Sequence, residues 1–354
     1  MLTEKDKSVL PDGKAVPINQ LIDRVSSEPD IKMIFRGIPV ESCGVVFGPA
    51  KSLKTTLVES LCLHIAAGIN QFMGEPLYAP SRRVLLVSFE EFYRNRTKRN
   101  MKQIEYLNAN NDLDSGWEEN LFVVDDSFPR YLTNNEHWHQ LEAEIERVKP
   151  SVLMLDSLTR MTADAIEDSI VATKVTRKLR EITSKFNIAI IIIHHSQKIE
   201  SRPLTLATLA GSRVVGQEMD FIIGVGRGYG NTRYLKDVAY RYAADDAENV
   251  LVFMSNEGQI AEHIKYASEL DVLMPTSETQ RHGLENKILE YFITVCQNDT
   301  SRAIPMSDLV NAFVKNQMMT KPTLYKLLKK LENNGLIIKV SHGLYSIVQV
   351  VNES

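Results

Sequence analysis

Gly48-Pro49-Ala50-Lys51-Ser52-Leu53-Lys54-Thr55-Thr56 is the stretch on which the reading of this chain turns. It lies between a short apolar run, Gly44-Val45-Val46-Phe47, and a helical pattern from Thr55 to Ala67. Strand, glycine-led loop and helix in that order make a P-loop, in which consecutive backbone N–H groups curl around an anionic oxygen at a helix N-terminus. The chemistry also needs an ammonium for the β- and γ-phosphates and a hydroxyl for Mg²⁺. Lys54 and Thr55 fit those roles, and Lys51 brings a second cation close by. Leu53 stands where a glycine usually precedes the lysine. If that position needs positive φ, a leucine there carries strain. The plain alternative is a loop that happens to contain Lys-Thr, and the elements downstream weigh against it.

Working outward, Arg83 to Phe89 reads as a second strand, ending in Glu90-Glu91. A carboxylate at that strand end can polarise an attacking water. A basic helical stretch follows through Lys102, then a short strand from Leu121 to Val124 and a helix from His137 to Val148. Ser151 to Leu155 is a fourth strand and runs into Asp156-Ser157, the Walker B pattern, whose carboxylate holds the Mg²⁺ shell. An amphipathic helix from Ile170 to Phe186 leads to a fifth strand, Ile188 to Ile193, ending in His194-His195-Ser196-Gln197-Lys198. Paired histidines without a third ligand at a suitable spacing argue against a metal site. They suit a hydrogen-bonding sensor of the γ-phosphate. Continuous aliphatic strands separated by helices imply a parallel sheet buried on both faces. Phe221 to Val225, Arg233 to Tyr240 and Val250 to Met254 are expected to add antiparallel strands at one edge.

GPAKSLKTT, VLLVSFEE, VLMLDSLTR and IAIIIIHHSQK, in that order, resemble the RecA/DnaB superfamily. The closest likeness is to the RepA-like hexameric ATPases and helicases of plasmids and mobile elements. The resemblance spans about Ile31 to Gln259. It implies ATP and Mg²⁺ as cofactors, Glu90 as the catalytic carboxylate, Asp156 and Thr55 at the metal, and His195 as the sensor. It also implies a homo-oligomeric ring, expected as a hexamer, in which Arg241 and Lys236 form a trans-acting basic pair at a neighbour's nucleotide. In ring translocases the loop after the sensor strand faces the central pore, so Lys198, Arg202 and Arg213 are candidates for single-strand DNA.

Residues 284–354 read as a winged helix-turn-helix domain. The expected order is a helix from Glu285 to Cys296, a second capped by Ser307 and running to Val314, and a third opened by Thr320 with Pro322 in its first turn. A hairpin follows, from Leu336 to Val340 and from Leu344 to Val348, with its turn at His342-Gly343. From Glu285 on there are 8 Lys and Arg against 6 acids. The bases gather on the third helix, where Lys321, Lys326, Lys329 and Lys330 are candidates for duplex DNA.

The whole chain has 354 residues, 41 Lys and Arg against 45 Asp and Glu, 44% apolar and 24% charged residues, which excludes disorder and fibrous repeats. Three scattered cysteines exclude a disulfide scaffold or a cysteine zinc site. No apolar stretch is long enough for a signal or membrane segment, so a soluble cytoplasmic protein is expected. The expected layout is an N-terminal polar segment 1–30 with a short amphipathic helix at Ile18 to Val25, a RecA-like α/β core 31–270, a linker 271–283 and the winged helix 284–354. The expected function is a ring-forming ATPase motor on DNA, a helicase or remodelling enzyme. The competing expectation is an ATP-controlled DNA-binding regulator or loader with slow turnover. A small-molecule kinase is weaker, because no lid segment is evident.

Overall fold

The structure, a computed structural model, describes residues 15–162, 164–197, 202–211, 213–229, 232–244, 249–273, 277–296, 302–316, 318–341 and 343–348, with side chains of 277–283 left aside. The chain divides between Ser268 and Glu269 into two units. In the first, α1 (Ile18–Val25) precedes the short pair β1 (Met33–Phe35) and β2 (Ile38–Pro39). The core then runs β3 (Cys43–Gly48), α2 (Lys54–Ala67), the small pair β4 (Gln71–Phe72) and β5 (Glu75–Pro76), β6 (Val84–Ser88), α3 (Tyr93–Asn110), β7 (Leu121–Val123) and α4 (Asn135–Val148). It continues with β8 (Val152–Asp156), a short α5 (Leu158–Met161), α6 (Ser169–Phe186), β9 (Ala189–His195), α7 (Arg213–Glu218), β10 (Phe221–Arg227), β11 (Arg233–Tyr240), β12 (Asn249–Ser255) and β13 (Ala261–Ser268).

Nine of these strands form one sheet in the order β13-β12-β11-β10-β3-β9-β8-β6-β7. From β10 to β7 every pairing is parallel, and from β10 to β13 every pairing is antiparallel. The aliphatic runs produce this directly. Ile190 to Ile193 and Val152 to Leu155 are buried on both faces, which only a central, helix-covered strand allows. Helix boundaries follow local chemistry. Asp168 caps α6 by accepting from Ile170 and Val171 N–H, Asn134 caps α4, and left-handed Asn187, Lys149 and Gly68 close α6, α4 and α2.

Three expectations need correcting here. Phe221–Arg227 is not antiparallel to its inner neighbour but parallel to β3. The crossover that makes this possible passes through α7, a six-residue helix with a central glycine that carries no readable period. The edge strand β13, AEHIKYAS, went unread because one side is open and its apolar alternation is weak. The expected linker 271–283 is largely helix: α8 (Glu269–Leu273) runs into it and α9 (Ser277–Cys296) begins inside it, in a polar first turn. Residues 274–276 of that linker lie outside the described residues.

The second unit packs α9, α10 (Met306–Leu309) continued by a π-helical turn Val310–Lys315, and α11 (Lys321–Asn333) on a three-stranded sheet. Its strands are β14 (Ile304–Pro305), β15 (Ile337–Ser341) and β16 (Leu344–Ile347), in the order β14-β16-β15. Ile288, Phe292, Leu309, Phe313, Leu324, Leu328 and Leu331 form its core. Thr320 caps α11 through Thr323 N–H, with Pro322 in the first turn. Ser307 does not cap the second helix. Its N-cap is Pro305, and the Ser307 hydroxyl turns to Asp308 instead. His342 of the expected hairpin turn is outside the described residues.

Candidate nucleotide site

The parallel pairing levels the carboxyl ends of four strands. Gly48 of β3 lies opposite His195 of β9, Asp156 of β8 opposite Ile193, and Ser88 of β6 opposite Asp156. Every element expected to handle phosphate therefore emerges along one edge of the sheet, where ligands bind in open α/β folds.

The loop after β3 keeps the P-loop path in spite of its sequence. Leu53 adopts φ 70° and ψ 25°, and Lys51 φ 61°, both left-handed. Each costs about 1–2 kcal/mol for a residue with a Cβ. The strain persists because α2, starting at Lys54, is buried along most of its length and fixes the loop's exit. Gly48 is required by close approach, since a Cβ there would lie 2.0 Å from the Val225 carbonyl oxygen. Ser52 Oγ is buried inside the loop without a hydrogen-bond partner. Such an orphaned polar atom, enclosed by a curled backbone, fits an oxyanion ligand.

Lys54 is nearly buried, and its ammonium donates to the Pro49 carbonyl at 2.8 Å. Burial pulls its pKa down to about 8, against the pull of Asp156 and Glu90. Thr55 Oγ1 donates to Asp156 Oδ2 at 3.0 Å, which pairs the two oxygens expected to hold Mg²⁺. Burial raises Asp156 to about 6 even though Arg96 and the Thr55 hydroxyl oppose it. Glu90 behaves in the opposite sense. The hydrogen bond with His195, together with the Ser157 hydroxyl, holds it down at about 2 in spite of partial burial. Held that low, the Glu90 carboxylate is ionised near neutral pH.

The two histidines part company. His195 Nε2 stands 3.5 Å from Glu90 Oε1, facing the site. His194 is fully buried, its Nε2 donates to the Ala210 carbonyl at 2.9 Å, and burial pushes its pKa down to about 4, so it is neutral. Backbone bonds from Ser196 to Gly48, Gln197 to Thr208 and Ala210 to His195 knit this strand end to the P-loop on one side and to the returning loop on the other.

Residues that sequence reading passed over lie behind Asp156. Arg96, on α3, is 1% exposed, 3.2 Å from Glu59 and 3.9 Å from Asp156, and none of its guanidinium nitrogens has a hydrogen bond of good geometry. Arg99 bridges Glu59 and Glu91 with bonds of 2.6–3.0 Å. The available signal was Glu59, the one charged residue in the run Leu57 to Leu63, which is otherwise apolar but for Ser60. A buried carboxylate needs a cation, and the basic stretch after Glu90 supplies two.

Other expected site residues lie elsewhere. Arg241 follows β11 at the opposite end of the strands, where Asp220 contacts the start of β3. There it pairs with Asp220 at 3.6 Å and donates to the Gln217 carbonyl at 3.2 Å. Lys236 is 8% exposed and paired in register with Gly224, several residues up β11. The two do not form an adjacent basic pair, because β11 carries them to different levels of the sheet. Arg202 and Arg213 are exposed beside the loop after β9, whereas Lys198 lies outside the described residues. On α11, Lys321, Lys326 and Lys329 are exposed. Lys330 is engaged with Glu285 at 2.8 Å. It is thus committed within its own unit by α9 packing.

The model of a family described as AAA domain matches residues 11–201, a span that takes in the P-loop, Glu90, Asp156 and both histidines. The chain belongs to this AAA domain family. Among curated proteins none matches it. An AAA-type domain is a nucleotide-binding ATPase domain, and the site described here is its P-loop edge. Among the described residues no helix of this AAA protein is long and apolar enough to cross a membrane.

Proposed function

We propose that this AAA protein is an ATP-driven motor on DNA that works as a homo-oligomeric ring, read as a hexamer, of the RepA-like replicative helicase or remodelling kind. The observation that carries the reading is the convergence of Lys54, Thr55–Asp156 and Glu90–His195 on one strand edge, with His194 fastening that edge to the loop that returns through Ala210. Lys54 would hold the terminal phosphates, and Thr55 with Asp156 would hold Mg²⁺, which supplies charge neutralisation at the phosphates. Glu90 orients the attacking water. Loss of the γ-phosphate frees His195, and the Ser196–Gly48 and His194–Ala210 bonds pass the change to the loop bearing Arg202. Arg241 of a neighbouring copy would complete the charge on the far side of the phosphates. The second unit, read as a winged helix, would present Lys321, Lys326 and Lys329 to duplex DNA at a loading site.

A second reading, an ATP-controlled DNA-binding regulator or loader with slow turnover, has its own support. In the single chain Lys54 is folded onto Pro49, Glu90 is engaged by Ser157, and Arg241 is tied to Asp220. ATP hydrolysis with and without single-stranded DNA, together with strand separation of a forked duplex, tests the motor. Absence of any stimulation by a polynucleotide removes it. Glu90→Gln separates the readings. It lowers turnover by about 10²–10⁴-fold and stops strand separation in a motor, whereas a regulator keeps its DNA binding and assembly.

A further inference from the structure

The main chain around Glu90 is pinned on both sides. Phe89 N–H donates to the Asp156 carbonyl at 2.7 Å, Glu91 N–H donates to Ser88 Oγ at 3.1 Å, and Arg99 grips the Glu91 carboxylate. The backbone is therefore tied to β8 and to α3, and what stays open is the direction of the flexible Glu90 side chain. A glutamate has several staggered rotamers to choose from, so a specific contact has to select one.

That contact falls on one oxygen. Ser157 Oγ donates to Glu90 Oε1, and His195 Nε2 stands 3.5 Å from the same atom. Among the described residues Glu90 Oε2 accepts no hydrogen bond, and the side chain is 36% exposed, so solvent reaches it. Ser157 is fully buried, which keeps water from competing for its hydroxyl. An ionised carboxylate can only accept, so the single Ser157 proton is engaged with Glu90. Thr159 Oγ1, 3.0 Å from Ser157 Oγ, is then the donor in the second bond. The hydroxyls point one way, from Thr159 to Ser157 to Glu90, and each bond polarises the next. Their seat is firm: Ser157 O accepts from Arg160 N–H at 3.1 Å and from Met161 N–H at 2.9 Å, and Leu158 and Met161 are fully buried. Ser157 also directly follows Asp156, so one strand end carries both the residue read as a Mg²⁺ ligand and the contact that holds Glu90.

We propose that Ser157, with Thr159 behind it, is a positioning residue for Glu90: it anchors Oε1 so that Oε2 is the oxygen left to meet the attacking water. The proposal rests on the reading of Glu90 as the group that orients this water, and deepens it by giving the two oxygens different tasks. An unanchored glutamate would be spread over several rotamers, and misplacing such a group by about 1 Å costs on the order of 10² in rate. The bond to Ser157 thus restrains Glu90 without blocking it.

The test measures Mg²⁺-dependent ATP turnover of the full chain, across ATP concentrations, for Ser157→Ala, Thr159→Val, Glu90→Gln and the double variant Ser157→Ala with Glu90→Gln. Ser157→Ala removes one hydroxyl and is expected to lower kcat at least about tenfold while KM for ATP stays within about twofold. Thr159→Val, which keeps the shape of a part-exposed side chain, lowers kcat by a smaller factor at the same KM. In the Glu90→Gln background Ser157→Ala has no further effect, because no carboxylate is left to position. The positioning role is overturned, and the Glu90 reading left standing, by a Ser157→Ala kcat equal to or above that of the wild type. A wild-type kcat in Thr159→Val, a KM that worsens in step with kcat, or a full additional loss on top of Glu90→Gln has the same consequence. Turnover that Glu90→Gln does not reduce overturns both.

Discussion

Leu53 shows two opposed local terms. Its backbone lies in the left-handed region, yet its side chain packs, half-buried, against the core around α2. Glycine at this position would relieve about 1–2 kcal/mol of strain while losing a similar amount of apolar burial, about 1–2 kcal/mol for a half-buried leucine. Alanine would lose the burial and keep the strain. Leu53→Gly is therefore expected to melt within a few degrees of the wild type, and Leu53→Ala to be less stable than Leu53→Gly by about 1 kcal/mol, a reversal of the ordinary helix ranking. Thermal melts of both variants check this, and an alanine variant more stable than the glycine one would contradict it. Lys54 and Asp156 set a pH window in the same way. On the proposed reading Lys54 holds phosphate only while charged, and burial pulls it down to about 8, so ATP affinity is expected to fall as pH rises above that point. Asp156 would hold Mg²⁺ only while ionised, and burial pushes it up to about 6, so Mg²⁺-dependent affinity is expected to fall as pH drops below it. Each limb approaches about tenfold per pH unit. Nucleotide titrations from pH 5 to 9.5 should show a maximum between these values.

The relation of α3 to α2 and β8 decides how charge is distributed behind the site. Arg96 is the strongest influence holding Asp156 down against burial, and it reaches Asp156 from α3, a different element. Arg96→Met keeps the volume and leaves Glu59 paired with Arg99. The acid limb of Mg²⁺-dependent binding should then move upward from about pH 6 while the alkaline limb, set by Lys54, stays in place. Movement of both limbs together would point to a general disturbance of the site. In the second unit, Lys326 and Lys330 stand one turn apart on the same exposed side of α11, and Lys330 is also engaged with Glu285 at 2.8 Å. Lys326→Ala should weaken duplex binding uniformly and reduce the salt slope by about 1. Lys330→Ala should leave the slope alone and lower stability by more than about 1 kcal/mol, because it removes a cation from beside the buried Glu285 carboxylate.

At the level of the whole molecule, the reading depends on a neighbouring copy. Arg241 stands at the end of the strands remote from its own P-loop and cannot serve the nucleotide bound there. If it acts, it acts on the next copy, and the Asp220 and Gln217 bonds must be released when copies assemble. Light scattering of the wild type with and without Mg·ATP should therefore show a nucleotide-dependent rise in mass to a closed ring, with Arg241→Ala assembling but turning over ATP at least about 10³-fold more slowly. Mass that does not respond to nucleotide would count against the ring.

Much of this molecule was readable from residue order. Ile188 to Ile193 and Val152 to Leu155 announce doubly buried strands, and the spacing of Leu324, Leu327, Leu328 and Leu331 announces the buried face of α11, because burial writes a period into neighbouring positions. The residue types at the strand ends likewise named Lys54, Thr55, Glu90, Asp156 and the histidine pair as one chemical set. Sequence could not reveal that Phe221–Arg227 runs parallel to β3, that Glu59 is the partner of Arg96 and Arg99, that His194 and His195 face different ways, or that Arg241 and Lys236 lie at different levels. Those are matters of strand register and of charges brought together across long stretches of chain. Local periodicity fixes which face of an element is covered, while the identity of what covers it is decided only when distant elements pack.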